Sequence, residues 1–361
     1  MTANAHTPTD FFDRLVAESG LASTGTPSDV EVVRSLIDSR YGLSGTLSRI
    51  ATEKDDTFRL TTAAGTYLVK VSPDGEDPDI VALQTAAIRH VSTVAPDLPV
   101  QQVIPTLDGC GHHTIDATTG KYPRILRVLQ FIPGTTLSHA DPSHEQLQNV
   151  GGMLARLSLA LKDFTHGADT RLVLWDLAHF HRLGPLRAYT TDPSHLDVTD
   201  RVIAGYNETV TPVVAALDTQ VIHGDFSPFN VVVSPSDPRY VTGILDFGDA
   251  VRSATIFDVS VAMANQLSAE LPDPWDRAAA VLSGYQRVRT LSSNEMSLLP
   301  HTVLARLLMR ALIAGWRAHQ NPERHEYLMS HASSDWENLA AAAAVSPDEV
   351  AARLQAPPSR F

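Results

Sequence analysis

The first third of the chain alternates short apolar runs with polar turns, a pattern typical of β-strands joined by tight connections. Five such runs are predicted as strands: 46–52, 57–61, 67–71, 99–107 and 125–131. Apolar residues at helical spacing predict two helices in the same region, at 30–41 and 80–91. Pro133 and Gly134 break the chain immediately after the last strand.

Helical apolar spacing dominates the remainder of the chain. Five helices are predicted there: 147–161, 194–216, 258–268, 276–289 and 296–319. A loop and a hairpin interrupt the series. The pattern therefore predicts a bilobal α+β fold, with a small β-rich N-lobe at 28–132, a larger and mostly helical C-lobe at 133–361, and a cleft between them.

Residues 1–27 are rich in Thr, Ala, Ser and Pro, and they end in polar turn residues. Phe11 to Ala17 is long enough for only a short helix. We therefore expect a flexible N-terminal extension or a loosely docked arm.

Composition narrows the class of protein. The chain has 361 residues, 43% of them hydrophobic, a formal net charge of −13 and a single cysteine, Cys110. One cysteine allows no intrachain disulfide, and a reducing cytoplasm is the simplest compartment. The acidic balance disfavours nucleic acid as a partner. No apolar run is expected to span a bilayer, and residues 1–10 lack a secretory pattern, so no membrane association is expected.

The strongest chemical signal is the loop from His223 to Asn230, followed by Asp246 at the end of a strand-like run. Hairpin pairing would bring Asp246 back to Asn230. Asp225 would then orient an acceptor hydroxyl and take its proton, while the oxygens of Asn230 and Asp246 bind Mg²⁺. Each residue alone is equally typical of a turn or a cap, but the three together favour phosphoryl transfer.

Lys70 lies inside an apolar strand, where a lysine is costly to bury without a partner. It belongs either at an exposed strand edge or in a cleft, where it contacts the phosphates of a nucleotide. The downstream acid–amide–acid set favours the second interpretation.

These motifs resemble the aminoglycoside phosphotransferase and choline kinase superfamily, whose hallmark loop is His-Gly-Asp-x-x-x-x-Asn, followed by an Asp in an Ile/Leu-Asp-Phe/Trp setting. The resemblance covers most of the chain from about residue 40. It implies a protein-kinase-like fold and a kinase that uses ATP and Mg²⁺ to phosphorylate a small-molecule hydroxyl.

Within that superfamily, the chain is most similar to the hydroxylysine kinase branch. The similarity rests on the segments 53–58, 83–87, 175–177, 246–250 and 321–322. In this branch the first segment, which contains Glu53, covers the nucleotide phosphates. The resemblance also implies an adenine site at the backbone from Gln130 to Ile132.

Two departures from the branch concern the nucleotide site. Thr57 stands where the branch has asparagine. Many relatives pair the strand lysine with a glutamate on the following helix, whereas this helix offers Gln84. Glu76 and Asp79 are alternative partners for Lys70, and the sequence does not choose among the three.

The resemblance implies an acceptor pocket that contains residues just after Asp246 and residues of two segments distant from it in sequence. The candidates for acceptor binding are Asp249, Trp175, Asp176, Arg306 and Arg310. An acid there would hold an amine and an arginine would hold a carboxylate, which suits a hydroxylated amino acid or an amino alcohol. Helical arginines more often lie on solvated faces.

Two other functions compete with this one. An antibiotic-modifying phosphotransferase would use the same chemistry on a different acceptor. A non-catalytic nucleotide-binding regulator would explain Thr57 and the missing helix glutamate, but the complete acid–amide–acid set argues against it. A protein kinase is disfavoured because the loop begins His-Gly-Asp and no Ala-Pro-Glu sequence follows.

Overall fold

The computed structural model describes residues 8–19, 27–52, 54–115, 122–329 and 332–355. These residues form a small lobe around an antiparallel sheet and a larger, mostly helical lobe. The predicted bilobal α+β fold is confirmed.

The small lobe follows helix α1 (Pro8–Ser19) and contains helices α2 (Val30–Tyr41) and α3 (Pro78–Val94). Its strands are β1 (Gly45–Ile50), β2 (Asp56–Thr62), β3 (Gly65–Val71), β4 (Val103–Ile104), β5 (His113–Ile115) and β6 (Arg124–Gln130). The spatial order is β1-β2-β3-β6-β4, and β5 also pairs with β6. Every one of these pairings is antiparallel.

Helix α2 covers one face of this sheet. The Asp29 side chain accepts hydrogen bonds from the backbone N–H groups of Glu31 and Val32, which caps the first turn. Gly42 ends the helix with φ +65°, a left-handed conformation that glycine adopts at low cost. The helix buries Val33, Ile37 and Tyr41 in a core with apolar side chains of the strands.

One predicted strand is much shorter than expected. The run 99–107 contributes only the two residues of β4 to the sheet. The preceding residues instead pair with the larger lobe, since Ile244 N–H donates to the Pro99 carbonyl at 2.8 Å and Gln101 N–H donates to the Ile244 carbonyl at 3.0 Å. Backbone hydrogen bonds therefore join the two lobes at this point.

The larger lobe contains all five helices predicted there, with shifted ends. Its helices are α4 (His144–Ala160), α5 (Pro193–Thr209), α6 (Thr255–Ala264), α7 (Asp276–Gln286), α8 (Ser293–Gln320), α9 (His325–Met329), α10 (Ala332–Ala343) and α11 (Pro347–Gln355). Its strands are β7 (Thr135–Thr136), β8 (Thr219–Ile222), β9 (Val231–Val233), β10 (Val241–Ile244) and β11 (Val251–Ala254). Strands β8 and β11, which pair antiparallel, were not predicted.

Helix α3 belongs to the small lobe in sequence, but its apolar face packs in the core of the larger lobe. Leu83, Ile88 and Val91 are buried in the same cluster as Leu147 and Leu154 of α4. The lobes therefore share hydrophobic contacts in addition to the backbone bonds at Ile244.

Of the N-terminal segment 1–27, residues 8–19 match the docked-arm alternative, and residues 1–7 and 20–26 lie outside the described residues. Residues 8–19 form α1, and Leu15 is fully buried in the core of the larger lobe. The Phe12 ring packs edge-on against Trp316, with centroids 5.4 Å apart. Residues 8–19 thus form a docked helix, because the apolar face of α1 packs against residues far away in sequence, such as Trp316.

Helix α8 corrects the expectation that no run is long enough to cross a bilayer. Residues 293–320 form a helix of 28 residues with an 18-residue window of mean hydropathy 1.3, which meets the length and composition of a membrane span. However, 78% of that window is buried inside the protein. A core helix at the centre of a folded lobe meets the same criteria.

Helices α4 and α7 cross at two glycines. A Cβ atom on Gly151 would lie 1.8 Å from the Val281 carbonyl oxygen, and one on Gly284 would lie 1.9 Å from the Gln148 carbonyl oxygen. The absence of side chains at these positions lets the two backbones approach this closely.

Gly151→Ala is expected to lower the free energy of unfolding by about 3 kcal/mol or more, because a backbone carbonyl cannot move aside without separating the helices. Gly152→Ala is the matched control, since the nearest atom to its Cβ lies 3.6 Å away. The control is expected to be neutral or to stabilise by up to about 1 kcal/mol through helix propensity. Urea unfolding measures both, and equal stabilities would contradict the assignment of this crossing.

Candidate active site

A buried carboxylate holds the backbone of the loop that carries Asp225. The Asp258 oxygens accept hydrogen bonds from the N–H groups of His223, at 2.9 Å, and Gly224, at 2.8 Å. Burial raises the pKa of Asp258. Gly224 has φ +78°, and a Cβ there would lie 2.4 Å from the Asp249 carbonyl oxygen. The loop therefore turns sharply beneath the segment that follows Asp246.

His223 joins the two acidic segments of the site. Its ring is fully buried, Nδ1 accepts from the Asp225 N–H at 3.3 Å, and Nε2 lies 2.9 Å from the Leu245 carbonyl oxygen. Because Nδ1 accepts a hydrogen bond, the ring hydrogen lies on Nε2, which donates to that carbonyl. His223 is thus a structural link between the two acidic segments.

The Asp225 carboxylate contacts three side chains. It accepts hydrogen bonds from Asn230 Nδ2 at 2.7 Å and from Ser227 Oγ at 3.3 Å, both through Oδ2. Its Oδ1 lies 3.4 Å from Arg306 Nη2. The Asn230 amide also donates to the Asp225 carbonyl at 3.0 Å, so the amide nitrogen faces the acid.

The predicted hairpin returns Asp246 to Asn230. Strands β9 and β10 pair antiparallel, with Val231 opposite Ile244, and the Leu245 N–H donates to the Asn230 carbonyl at 2.8 Å. Asp246 itself adopts φ +55°, a strained conformation for a residue other than glycine. Its Oδ1 accepts a hydrogen bond from the Gly248 N–H at 2.9 Å, which stabilises the turn.

Lys70 pairs with none of the three partners that the sequence offered. Its Nζ lies 2.9 Å from Asp246 Oδ2 and 3.3 Å from Asp55 Oδ2. Glu76 instead pairs with Lys54 at 2.9 Å, and Gln84 donates to the Gly248 carbonyl at 3.5 Å. The fold brings Asp55 to the lysine from the β1–β2 connection, because β2 and β3 are neighbours.

The remaining candidate partner, Asp79, has no contact with Lys70 among the described residues. Asp79 lies in the exposed first turn of α3, where its N–H donates to Asp77. Glu53 lies outside the described residues.

Charge pairing governs the ionisation of Lys70 and Asp246. Burial acts to lower the pKa of Lys70, but the charges of Asp246 and Asp55 outweigh it and hold the pKa above its ordinary value. Burial acts to raise the pKa of Asp246, but the Lys70 ammonium outweighs it and holds the pKa well below its usual range. Both groups are therefore charged at neutral pH.

The connection between the lobes contains Gln130 and Ile132, the residues predicted to contact adenine. The Gln130 carbonyl accepts a hydrogen bond from Gln101 Nε2 at 2.7 Å, and the Gln130 N–H donates to the Gln102 carbonyl at 2.8 Å. Both backbone groups of Gln130 are thus engaged within the protein. In the part of the chain that the structure describes, the Ile132 N–H has no such partner, which favours Ile132 over Gln130 as a donor to a base.

Asp249 lies half-buried beside Asp225. Burial, followed by the negative charge of Asp225, raises the pKa of Asp249 to about 6, and Arg171 and Arg306 oppose this shift. Within the described residues, its carboxylate has no hydrogen-bond donor. Asp249 is therefore the acid of the site that is least compensated by cations.

A small cavity adjoins Asp249. Its volume is about 10 Å³, room for about one water molecule, and its lining includes Trp175, Asp176 and Gly224. Asp176 is only 7% exposed, and its Oδ1 accepts hydrogen bonds from the Ala178 N–H at 3.0 Å and from Ser253 Oγ at 2.7 Å. Asp176 is thus a cap for the 3₁₀ helix Leu177–Arg182 rather than a free acceptor contact.

Both predicted acceptor arginines are engaged within the fold. Arg306 is 4% exposed, donates to the Trp175 carbonyl at 2.7 Å, and places its guanidinium 5.4 Å from the Trp175 ring centroid. Arg310 donates to Asn265 Oδ1 at 2.6 Å and pairs with Asp335 at 2.9 Å. The Arg306 guanidinium therefore contacts Asp225, and the Arg310 guanidinium links α8 to neighbouring helices. Neither guanidinium is free to bind an acceptor carboxylate.

Sequence reasoning missed two cations at the site. Arg171 donates to the carbonyls of Gly248 and Ala250, which holds the turn after Asp246 in place. Arg127 lies opposite Lys70 on β6, with Nη2 3.5 Å from Asp55 Oδ2. Arg127 could have been found from the sequence, because it is an arginine at an inward-facing position of strand β6. Arg171 gives no such signal, because it lies in an irregular segment without a periodic pattern.

Comparison with known proteins gives independent information on most of the chain. Residues 46–291 match the Phosphotransferase enzyme family. A hydroxylysine kinase from Danio rerio is 28% identical over 335 residues, which cover 89% of this chain and 93% of that protein.

Two solved structures share the fold. A microcompartment-associated aminopropanol kinase superposes with a TM-score of 0.68 at 20% identity, covering 87% of this chain and 97% of that one. An amicoumacin kinase in complex with AMP-PNP and Ca²⁺ superposes with a TM-score of 0.66 at 15% identity, covering 90% and 97%. At these identities, the likeness is one of fold.

Asp258→Asn is expected to lower the free energy of unfolding by about 3 kcal/mol, because an amide nitrogen would face one of two buried backbone N–H donors. Asp79→Asn, in the exposed first turn of α3, is the control with the same chemical change. Thermal and urea unfolding measure the difference. Equal stability of the two variants would show that the Asp258 contacts do not hold the loop.

Proposed function

The chain belongs to the Phosphotransferase enzyme family, and on that premise we propose that it transfers the γ-phosphoryl group of ATP to a hydroxyl of a small amine-bearing acceptor. The observation that carries the proposal is the approach of Asp225, Asn230, Asp246 and Lys70 at one side of the inter-lobe cleft. A basic carboxylate, two oxygen donors and an ammonium group are the functional groups that this reaction uses.

Asp225 is the proposed catalytic residue. An acceptor hydroxyl hydrogen-bonded to its carboxylate would be aligned with the phosphorus atom and would pass its proton to Asp225 as the new P–O bond forms. Arg306 and Asn230 fix the carboxylate from two sides, so its orientation is set before the acceptor binds. Orientation contributes much of the rate gain in phosphoryl transfer, because the protein forms no covalent bond itself.

Lys70 is the proposed contact to the nucleotide phosphates. Its ion-pair partner Asp246 keeps 43% of its side chain exposed, so the contact is open to solvent on the Asp246 side. An incoming phosphate would replace part of that contact. The Ile132 backbone N–H is the proposed contact to the base, and ATP rather than GTP is the proposed nucleotide.

The donor set also fits Mg²⁺. A carboxylate and a neutral amide oxygen are hard ligands, and Asn230 directs its nitrogen to Asp225, which leaves Oδ1 on the opposite side of the amide. Within the described residues, Oδ1 has no other partner. Asn230 and Asp246 are therefore the proposed ligands, and a bound Mg²⁺ would screen the charge of the phosphates.

Asp249 is the proposed contact to the acceptor's amine. Its carboxylate lies close to Asp225 and lacks a hydrogen-bond donor among the described residues, so an ammonium group would supply the missing charge. The relatives named a hydroxylysine kinase and an aminopropanol kinase support an acceptor with both an amine and a hydroxyl. We propose a hydroxylated amino acid or amino alcohol, phosphorylated in the cytoplasm.

Asp225→Ala is expected to abolish phosphoryl transfer while nucleotide binding survives, because Asp225 contacts the acceptor side of the reaction. Nucleotide consumption with a panel of hydroxylysine, aminopropanol, aminoglycosides and sugars measures the first property, and binding of a fluorescent nucleotide measures the second. Full activity in the variant would remove Asp225 from the mechanism. Nucleotide binding by the unaltered protein without turnover of any acceptor would favour a regulator.

Acceptor binding is expected to weaken as the pH falls through about 6, because Asp249 then becomes protonated and loses its attraction for an ammonium group. Below that pKa, the dissociation constant would rise about tenfold per pH unit. Calorimetry with the preferred amine, in the absence of nucleotide and metal, measures the effect. Asp249→Asn is the control and should bind weakly at every pH. An unchanged pH response in this variant would assign the titration to another group.

A further inference from the structure

We propose that Asp55 is the positioning residue for Lys70, in the role that many relatives give to a glutamate on the helix after the lysine strand. The proposal rests on the proposed function, because it concerns how the phosphate-binding lysine is held. It assigns the counter-ion to the β1–β2 connection instead of helix α3.

The lysine and its neighbours form a compact charge cluster. Lys70 on β3 lies between Thr57 on β2 and Arg127 on β6 in the strand register. Asp55 Oδ2 lies 3.3 Å from Lys70 Nζ and 3.5 Å from Arg127 Nη2. One carboxylate oxygen thus contacts two cations on adjacent strands, and Arg127 holds it beside Lys70.

Helix α3 cannot supply this charge. Its residue at the relevant position is Gln84, which is neutral and donates toward the Gly248 carbonyl. Glu76 is occupied by Lys54. The Lys70 side chain is only 10% exposed, and an ammonium so buried requires an anion that remains in place. Among the described residues, the anions in contact with Lys70 are Asp55 and Asp246.

The two anions differ in what else they are able to do. Asp246 is the proposed metal ligand and keeps 43% of its side chain exposed to the cleft, whereas Asp55 keeps 13%. A cation bound to Asp246 would compete with Lys70 for the same oxygen. Asp55 has no such second role, so it remains the partner of Lys70 when the nucleotide site is filled.

The loop around Asp55 is built to hold it. Thr57 is 2% exposed, and its hydroxyl donates to the Asp55 carbonyl at 3.4 Å. The Thr52 hydroxyl donates to the same carbonyl and lies 3.1 Å from the Thr57 hydroxyl. Thr57 therefore serves the backbone that presents Asp55, which gives a structural role to the residue found where the resemblance led us to expect asparagine.

This arrangement has a consequence for nucleotide binding. The Lys54–Glu76 pair ties the loop to the start of α3, and Asp55 ties it to the centre of the sheet. A displacement of the loop would thus separate Asp55 from Lys70 and leave Asp246 as its partner among the described residues. The position of the loop and the orientation of the lysine are coupled, and both are independent of a charge on α3.

A double-mutant cycle tests the coupling. Asp55→Asn and Lys70→Met are each expected to weaken the binding of a fluorescent ATP analogue with Mg²⁺ by about tenfold. The double variant should bind no worse than Lys70→Met alone, because Asp55 acts through the lysine. Arg34→Gln, which removes an exposed ion pair on α2, is the matched control, and any loss it causes should multiply with that of Lys70→Met.

Asp55→Glu retains the charge and is expected to restore most of the binding. The melting temperature of each variant shows whether it is folded. Wild-type binding in Asp55→Asn, or losses that multiply in the Asp55 and Lys70 double variant, would overturn the proposal. The readout is binding and requires no turnover. A protein that binds the analogue but phosphorylates no acceptor would refute the proposed function and leave the cycle readable.

Discussion

Mutual repulsion among three carboxylates is the constraint on which the active site depends. Asp225 and Asp246 both act to raise the pKa of Asp249, so the three acids share one electrostatic environment. A cluster of this kind is stable only if cations are held beside it. Lys70 pairs with Asp246, Arg306 with Asp225, and Arg171 opposes the shift at Asp249. Asp249 retains the least compensation, which is why it is the proposed contact to the acceptor's amine.

One of these ion pairs, that of Lys70 with Asp246, connects the lobes. Lys70 comes from the small sheet and Asp246 from a hairpin of the larger lobe, and their contact lies near the backbone bonds between Ile244 and the 99–101 segment. Helix α3 adds apolar contacts to the larger core. The lobes are thus fixed by packing and backbone hydrogen bonds, while the charged contact between them is exposed enough to exchange partners. Substrate phosphates would then act on a charged contact of the interface that is partly exposed.

Some parts of this site were predictable because they are local in sequence. The loop from His223 to Asn230 and the short hairpin after it bring three functional side chains together through near-neighbour geometry. Strands β1 to β3 and helix α2 were predictable for a similar reason, since alternation and capping are visible within a few residues.

Other parts depended on contacts that no short pattern encodes. The chain by itself determined the two-lobe order of elements and the acid–amide–acid loop, because periodicity and spacing are properties of adjacent residues. Only the tertiary structure decided that Asp55 pairs with Lys70, that Arg306 lies under Asp225, and that residues 8–19 dock as a helix. Each of these contacts joins residues far apart in sequence, and each is chosen by burial and charge balance across surfaces that exist only after folding.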